Sequence, residues 1–116
     1  MSNSADRAGP NGLTRRLAAG RVCVVGNLNI DLIVRGVPAL PRWGQEVAGT
    51  SHAAASAGQG GNLAMALGRL GVATSLVANV GDDLFGQQIR DDLAASGVEA
   101  AAVETAAGAT GITVGI

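Results

Sequence analysis

Apolar positions along this chain switch between two periods. Arg21 to Gly26, RVCVVG, is a short β-branched run closed by glycine. Its unbroken apolarity predicts a strand buried on both faces, as in a parallel sheet. Leu32 to Val37, LIVRGV, predicts a second strand, and PALPRWGQ, with two prolines and a glycine, a loop. Glu46 to Ala55 alternates weakly and reads as an edge strand. From Gly61 the period becomes helical: Leu63, Ala66, Leu67 and Leu70 recur on one face, and Gly71 stands where a helix-ending residue belongs. Ala73 to Val80 then predicts a strand. DDLFGQQIRDDLAASG predicts a helix with Asp82 or Asp83 as its N-cap, Gly97 at its end, and Leu84, Phe85, Ile89 and Leu93 on one face. AAVET and TGITVGI predict two last strands.

Strand, glycine-rich corner, helix, strand, helix, strand is the order of an α/β fold with a parallel sheet. About thirty residues of strand and turn lie between the first strand and the first helix, far more than the usual few-residue connection. The excess predicts a small inserted β-flap. Residues 1–20 read as a solvated tail, and the chain reaches Ile116 in mid-strand, as a piece of a larger domain would.

Composition narrows the function classes. Of 116 residues, 47% are apolar but only 2% aromatic, so the core is built from small side chains that each bury little area. The net charge is −1, with eight basic residues that are all arginine and scattered, which argues against a nucleic-acid surface. No run approaches the roughly 18 apolar residues of a membrane helix. The one cysteine, Cys23 in VCVV, reads as a buried, inert thiol and fits a reducing, cytoplasmic setting. Trp43 reads first as a loop-packing residue, and His52 as a surface residue.

The stretch AGQGGNLAMALGRLG, Ala57 to Gly71, sets three glycines and an asparagine before a helix, as a phosphate cradle would. The P-loop pattern is absent, and the chain has no lysine; the dinucleotide pattern G-x-G-x-x-G fails at Leu63. With one histidine and no C-x-x-C, a metal cluster is not expected. Two polar constellations remain. Asn27, Asn29 and Asp31 alternate just past the first strand, so on an extended chain they face one way and suit hydroxyl groups, or else cap the strand as an Asx cluster. Asn62 stands at the mouth of the first helix, either as its N-cap or, with the nearby main-chain N–H groups, against a small polar ligand.

Together these stretches resemble the ribokinase, or PfkB, family of carbohydrate kinases. Its N-terminal signature is met by Ala57-Gly58, the spacer Gln59, then Gly60, Gly61, Asn62, Leu63 and Ala64, with Gly71 and Gly81 at the required distances. VVGNLNID looks like the family's opening strand and sugar-binding turn, GQEVAG like the start of its lid, GDDLFG like its G-D-D-x-x-G, and TGITVGI like its returning lid strand. Gln59 departs from the lysine common in ribokinases proper, and Ala57 from a glycine.

The resemblance implies a ribokinase-like parallel-sheet core, incomplete here, over residues 21–116, with an inserted lid formed by residues 32–56 and 110–116. It implies ATP-dependent phosphorylation of a sugar hydroxyl, with Asn29 and Asp31 holding the sugar and Gly58, Gln59, Gly60, Gly61 and Asn62 touching it from the other side. The family's catalytic base lies in a D-T-x-G-A-G-D segment that does not occur in these residues. ATP and Mg2+ therefore belong to the complete enzyme, and the chain alone would not catalyse. A homodimer through the lid sheet is a further implication. Two other classes stay open: a non-catalytic sugar-binding or interaction module, and a piece of a nucleoside or phosphosugar kinase, for which only Trp43 and Phe85 offer an aromatic platform.

Overall fold

The computed structural model describes residues 20–116, so the tail expected over residues 1–20 lies, apart from Gly20, outside the described residues. Seven strands and two helices follow in the order β1 (Arg21–Val25), β2 (Asn29–Arg35), β3 (Ser51–Ala57), α1 (Gln59–Arg69), β4 (Ala73–Gly81), α2 (Leu84–Ala95), β5 (Val98–Glu99), β6 (Val103–Ala106) and β7 (Ile112–Gly115). They form two sheets. In the first, β4 is central and every pairing is parallel, with β1 on one side and β5 then β6 on the other. The second has the order β3-β2-β7, with β3 antiparallel and β7 parallel to β2. The α/β architecture and the inserted β-flap expected from the sequence are both present.

β4 alternates cleanly: Thr74, Leu76, Ala78 and Val80 are buried, while Ala73, Val77 and Asn79 are exposed. The buried row meets Ala64 and Met65 of α1 and Ile89 and Leu93 of α2, and Val24, Leu28, Ile30, Val98 and Val103 complete the core. Both helices thus cover one face of the parallel sheet.

That one-sided cover corrects the reading of β1. Cys23 is exposed rather than buried, and Val25 is 77% exposed. An unbroken apolar strand predicts cover on both faces, and within these residues only the Val22–Val24 face receives it.

The helical faces also shift. In α1 the buried row is Gly60, Gly61, Ala64 and Met65, whereas Leu63 and Leu70 of the expected stripe are more than half exposed. Close approach selects the smallest side chains for the packed face. A Cβ on Gly68 would collide with the Ser96 carbonyl, and one on Gly61 would sit 2.7 Å from Leu28 Cδ2. In α2, Phe85, Gly86, Ile89 and Leu93 face the core, but Leu84 at the first helical position is 89% exposed.

The helix ends follow the expected rules. Asp83 is the N-cap of α2, its side chain accepting from the Gly86 amide at 2.7 Å. Gly71 (φ 79°) and Gly97 (φ 76°) turn the chain out of the two helices in the left-handed region that glycine tolerates. The first helix begins at Gln59 with Gly58 as its N-cap, so Asn62 lies in the first turn and caps nothing. Trp43 is fully exposed and packs no loop, and His52 is exposed as expected. Among the described residues no helix is long and apolar enough to cross a membrane.

Leu76 is fully buried at the centre of β4 and Val77, its neighbour on the bare face, is 40% exposed. Leu76→Ala is expected to cost about 2–5 kcal/mol of stability and Val77→Ala under about 1 kcal/mol, compared by urea denaturation.

Candidate functional site

The chain leaves β1 at Val25, turns through Gly26, Asn27 and Leu28, and enters β2 at Asn29. Leu28 is buried and pins the turn to the core. The turn meets the start of α1 head on. The Asn27 Oδ1 accepts from the Gln59 amide at 3.1 Å and the Gly60 amide at 3.5 Å, and the Asn27 carbonyl accepts from the Gly61 amide at 3.3 Å. The Asn62 amide then donates to the Gly58 carbonyl at 2.8 Å and opens the helical ladder. A helix start normally leaves its first amides unpaired and available to an anion. Here Asn27 uses them, so this glycine-rich corner is not a phosphate cradle.

The glycines have a packing reason. A Cβ on Gly60 would lie 2.8 Å from Gly26 Cα and 2.9 Å from the Gly26 carbonyl carbon, so the two backbones touch. Gly58 has φ 94°, and a Cβ there would lie 2.5 Å from the Asn27 carbonyl oxygen and 3.0 Å from Asn29 Oδ1. The signature glycines and the Asn-x-Asp turn, about thirty residues apart in sequence, are therefore in contact.

Asn29 and Asp31 share a face of β2. Ile30 between them is fully buried against the core, so the pleat turns both polar side chains away from it. Asn29 Nδ2 donates to Asp31 Oδ1 at 2.8 Å and to Thr113 Oγ1 at 3.1 Å. The Asp31↔Thr113 register of β2 with β7 puts all three side chains on one patch. Asn27 is not the third member of that row, because it precedes β2 and serves α1.

Both amide protons of Asn29 are engaged within the patch. Its Oδ1 points toward the bare backbone of Gly58, and no partner reaches Asp31 Oδ2 among the described residues. The unused atoms are acceptors, and acceptors suit a ligand that presents O–H donors. Asn62 is exposed one turn into α1 and Gln59 is exposed at its first position, while Gly60 and Gly61 are buried.

A groove of about 630 Å³ lies on the other side of the β1–β2 turn residues, lined by Val25, Gly26, Asn27, Val77, Asn79 and Glu104 among others, and by none of Asn29, Asp31 and Thr113. It begins at the carboxyl end of β1 and runs along Val77 to Asn79 in the middle of β4.

A second polar cluster joins the two sheets. Asp83 Oδ2 accepts from the Thr110 amide at 2.7 Å and Asp83 Oδ1 from the Thr110 hydroxyl at 2.6 Å, while that hydroxyl accepts from the Gly81 amide at 3.0 Å. The hydroxyl and then the amide of Thr110, with the Gly86 amide, hold the Asp83 carboxyl below the usual aspartate range, outweighing partial desolvation. Sequence reasoning found Asp83 as a cap, but not Thr110 or Thr113. Their partners lie 27 and 84 residues away, and threonine carries no local signature for such a role.

Among the described residues no group of three or more His, Cys, Asp or Glu side chains could hold a metal ion, and the helix start that would face a phosphate is already paired.

The family model described as pfkB family carbohydrate kinase matches residues 19–115. The chain is 40% identical to a ribokinase of Bacillus subtilis over 77 residues, which is 66% of this chain and 26% of that protein. Among solved structures it is similar to ribokinase from Cryptococcus neoformans in complex with ADP, at TM-score 0.72 and 29% identity, covering 82% of this chain and 30% of that one. It is likewise similar to Arabidopsis thaliana ribokinase complexed with ribose and ATP, at TM-score 0.74 and 28% identity, covering 79% of this chain and 30% of that one. The chain thus spans between a quarter and a third of the length of these relatives.

Two outcomes are expected from this geometry. Gly60→Ala drives a Cβ into the Gly26 backbone and should cost about 1–3 kcal/mol by denaturant titration, the ordinary effect of overpacking. Asp83 has a lowered pKa in the folded chain, so the unfolded state binds its proton at a higher pH, near 4. Its contribution is complete above about pH 4 and is lost as pH falls through the folded value. An acid titration of the unfolding midpoint should be shallower for Asp83→Asn than for the wild type below that pH.

Proposed function

The chain belongs to the pfkB family of carbohydrate kinases, and from that premise we propose that it forms the sugar-recognition segment of an ATP-dependent sugar kinase. The observation that carries this reading is the alignment of Asn29 and Asp31 on one face of β2, with unused acceptor oxygens beside the bare backbone of Gly58. A sugar presents hydroxyl donors about one side-chain spacing apart. A carboxylate with one oxygen already held by Asn29 offers the other in a fixed direction. A site built to accept from a hydroxyl discriminates strongly against an analogue lacking it, because the acceptor is then left unpaired.

In this reading Asn29 and Asp31 bind the sugar by their side chains. Asn62 and Gln59, both exposed at the start of α1, reach it from the opposite side. Gly58, Gly60 and Gly61 contribute by bareness, since their neighbouring amides already serve Asn27. The sheet of β2, β3 and β7 acts as the lid. The ADP and ATP held by the two ribokinase structures support ATP as phosphoryl donor, and the ribose of the Arabidopsis complex supports a sugar acceptor. The phosphoryl-transfer base, ATP and Mg2+ are assigned to residues outside this segment, which alone does not catalyse. A homodimer through the lid sheet and a cytoplasmic location complete the proposal. Ile112 and Val114, 50% and 58% exposed on β7, supply apolar surface for such a contact.

Asp31→Ala in the complete kinase tests the assignment by calorimetry. Loss of a hydrogen bond to a charged group is worth about 1.5–3 kcal/mol, so sugar affinity should fall roughly 10- to 150-fold while ATP affinity stays within about twofold. An equal fall in both would remove Asp31 from the sugar site.

A further inference from the structure

We propose that Asp83 and Thr110 form a positioning pair that fixes β7 against β2, and thereby sets the Asn29–Asp31–Thr113 patch for its ligand; this rests on the sugar-binding reading above. Thr110 is 4% exposed and stands three residues before Thr113. Its hydroxyl donates to Asp83, accepts from the Gly81 amide, and its own amide donates to the other Asp83 oxygen. One residue later the Gly111 carbonyl accepts from the Ile30 amide at 2.9 Å, which starts the β2–β7 pairing.

Register is what this pair controls. Side chains alternate along a strand, so a slip of one residue would turn Thr113 to the opposite face and put Ile112 or Val114 beside Asn29. β7 is only four residues long and every one of them is exposed, so burial gives it little grip on its register. The grip comes from Thr110, which is clamped to the parallel sheet at Gly81 and to the N-terminus of α2 at Asp83. The other outer strand of the same sheet is held by the same helix. Ser56 Oγ of β3 donates to Asp92 at 2.5 Å, and Gln88 Nε2 donates to the Ala54 carbonyl at 3.4 Å. β2 therefore lies between two strands that α2 fixes, and Asn29 directs one amide proton to the β7 side.

The test uses the complete kinase with Thr110→Val, Thr110→Ser and Asp83→Asn, measuring sugar and ATP dissociation constants and the sugar KM against kcat. Thr110→Val should weaken sugar binding roughly 10- to 100-fold, the scale of a misplaced positioning contact, with the larger change in KM and with ATP binding held. Thr110→Ser keeps the hydroxyl and should restore sugar binding to near the wild-type value. Asp83→Asn keeps an acceptor for the Gly86 amide while weakening the link to Thr110. It carries the same expectation if the valine variant does not fold. Unchanged sugar binding in the folded variants, or a parallel loss of sugar and ATP binding, would overturn the proposal. A wild-type enzyme that binds ATP but no sugar would instead overturn the sugar reading, and with it the role assigned to this pair.

Discussion

Two backbones in contact, at Gly26 and Gly60, set the geometry of everything around the candidate site. With a Cβ at either position the helix start and the β1–β2 turn would have to separate, since each hypothetical Cβ meets main-chain atoms that cannot swing aside. Held together, they let one asparagine do what three separate caps do elsewhere. Asn27 takes the amides of Gln59, Gly60 and Gly61 with its side chain and its carbonyl. Burying a helix start without such partners would leave donors unsatisfied, at a cost comparable to the lost hydrogen bonds. The arrangement thus closes the corner to an anion and, in the same step, brings Gly58 against Asn29. The bare backbone and the polar strand face then border one space.

The three-stranded sheet depends, at its Asn29 end, both on this corner and on α2, which holds Ser56 and Ala54 of β3 and Thr110 ahead of β7. Its own apolar grip is thin. Ile30 is fully buried, but Leu32 and Val34 farther along the same face are only half-buried, and β3 is mostly alanine and serine. Directional bonds supply what area does not. A sheet made in this way is placed accurately near its tethers and loosely far from them. That suits a polar patch near Asn29 and an exposed loop between β2 and β3, where Leu40 and Trp43 face solvent.

Much of this fold could be read from local pattern. The helix-ending glycines, the Asp83 cap, the order of elements and the inserted flap all follow from short-range rules. Asn29 and Asp31 were legible because a period of two is enough to put them on one face. What local pattern missed has a common cause: it depends on distance in sequence. Asn27 sits in the same alternating row as Asn29 and Asp31, yet it serves a helix 32 residues on. Thr113 joins the patch from 84 residues away. The two-residue β5 is too short to leave a period. In α1, Leu63 and Leu70 marked an exposed face, because the helix lies so close to the β1–β2 turn and to Ser96 that glycines take those packed positions. Apolar character ordinarily predicts burial, but at short separation size decides instead.

The β1 pattern points in the opposite direction and bears on the proposed kinase. Val25 and Val77 are partners in register on the uncovered face of the parallel sheet, 77% and 40% exposed, and both line the 630 Å³ groove beside Asn27. A strand that is apolar at every position is the pattern of two-sided cover, and two adjacent valines left in water forgo the gain that burial brings, roughly 25 cal/mol per Å². Asn79 and Glu104 line the same groove, so part of its wall is polar. The groove thus combines apolar valines with polar Asn27, Asn79 and Glu104 at the carboxyl end of β1, the mixed lining usual for a ligand cleft. Its wall includes Asn27, the residue that secures the helix start next to the Asn29–Asp31–Thr113 patch. In the proposed kinase, cover laid on this face would meet the whole β1–β2 turn, Gly26, Asn27 and Leu28, and so would bear on Asn29 at the turn's far end.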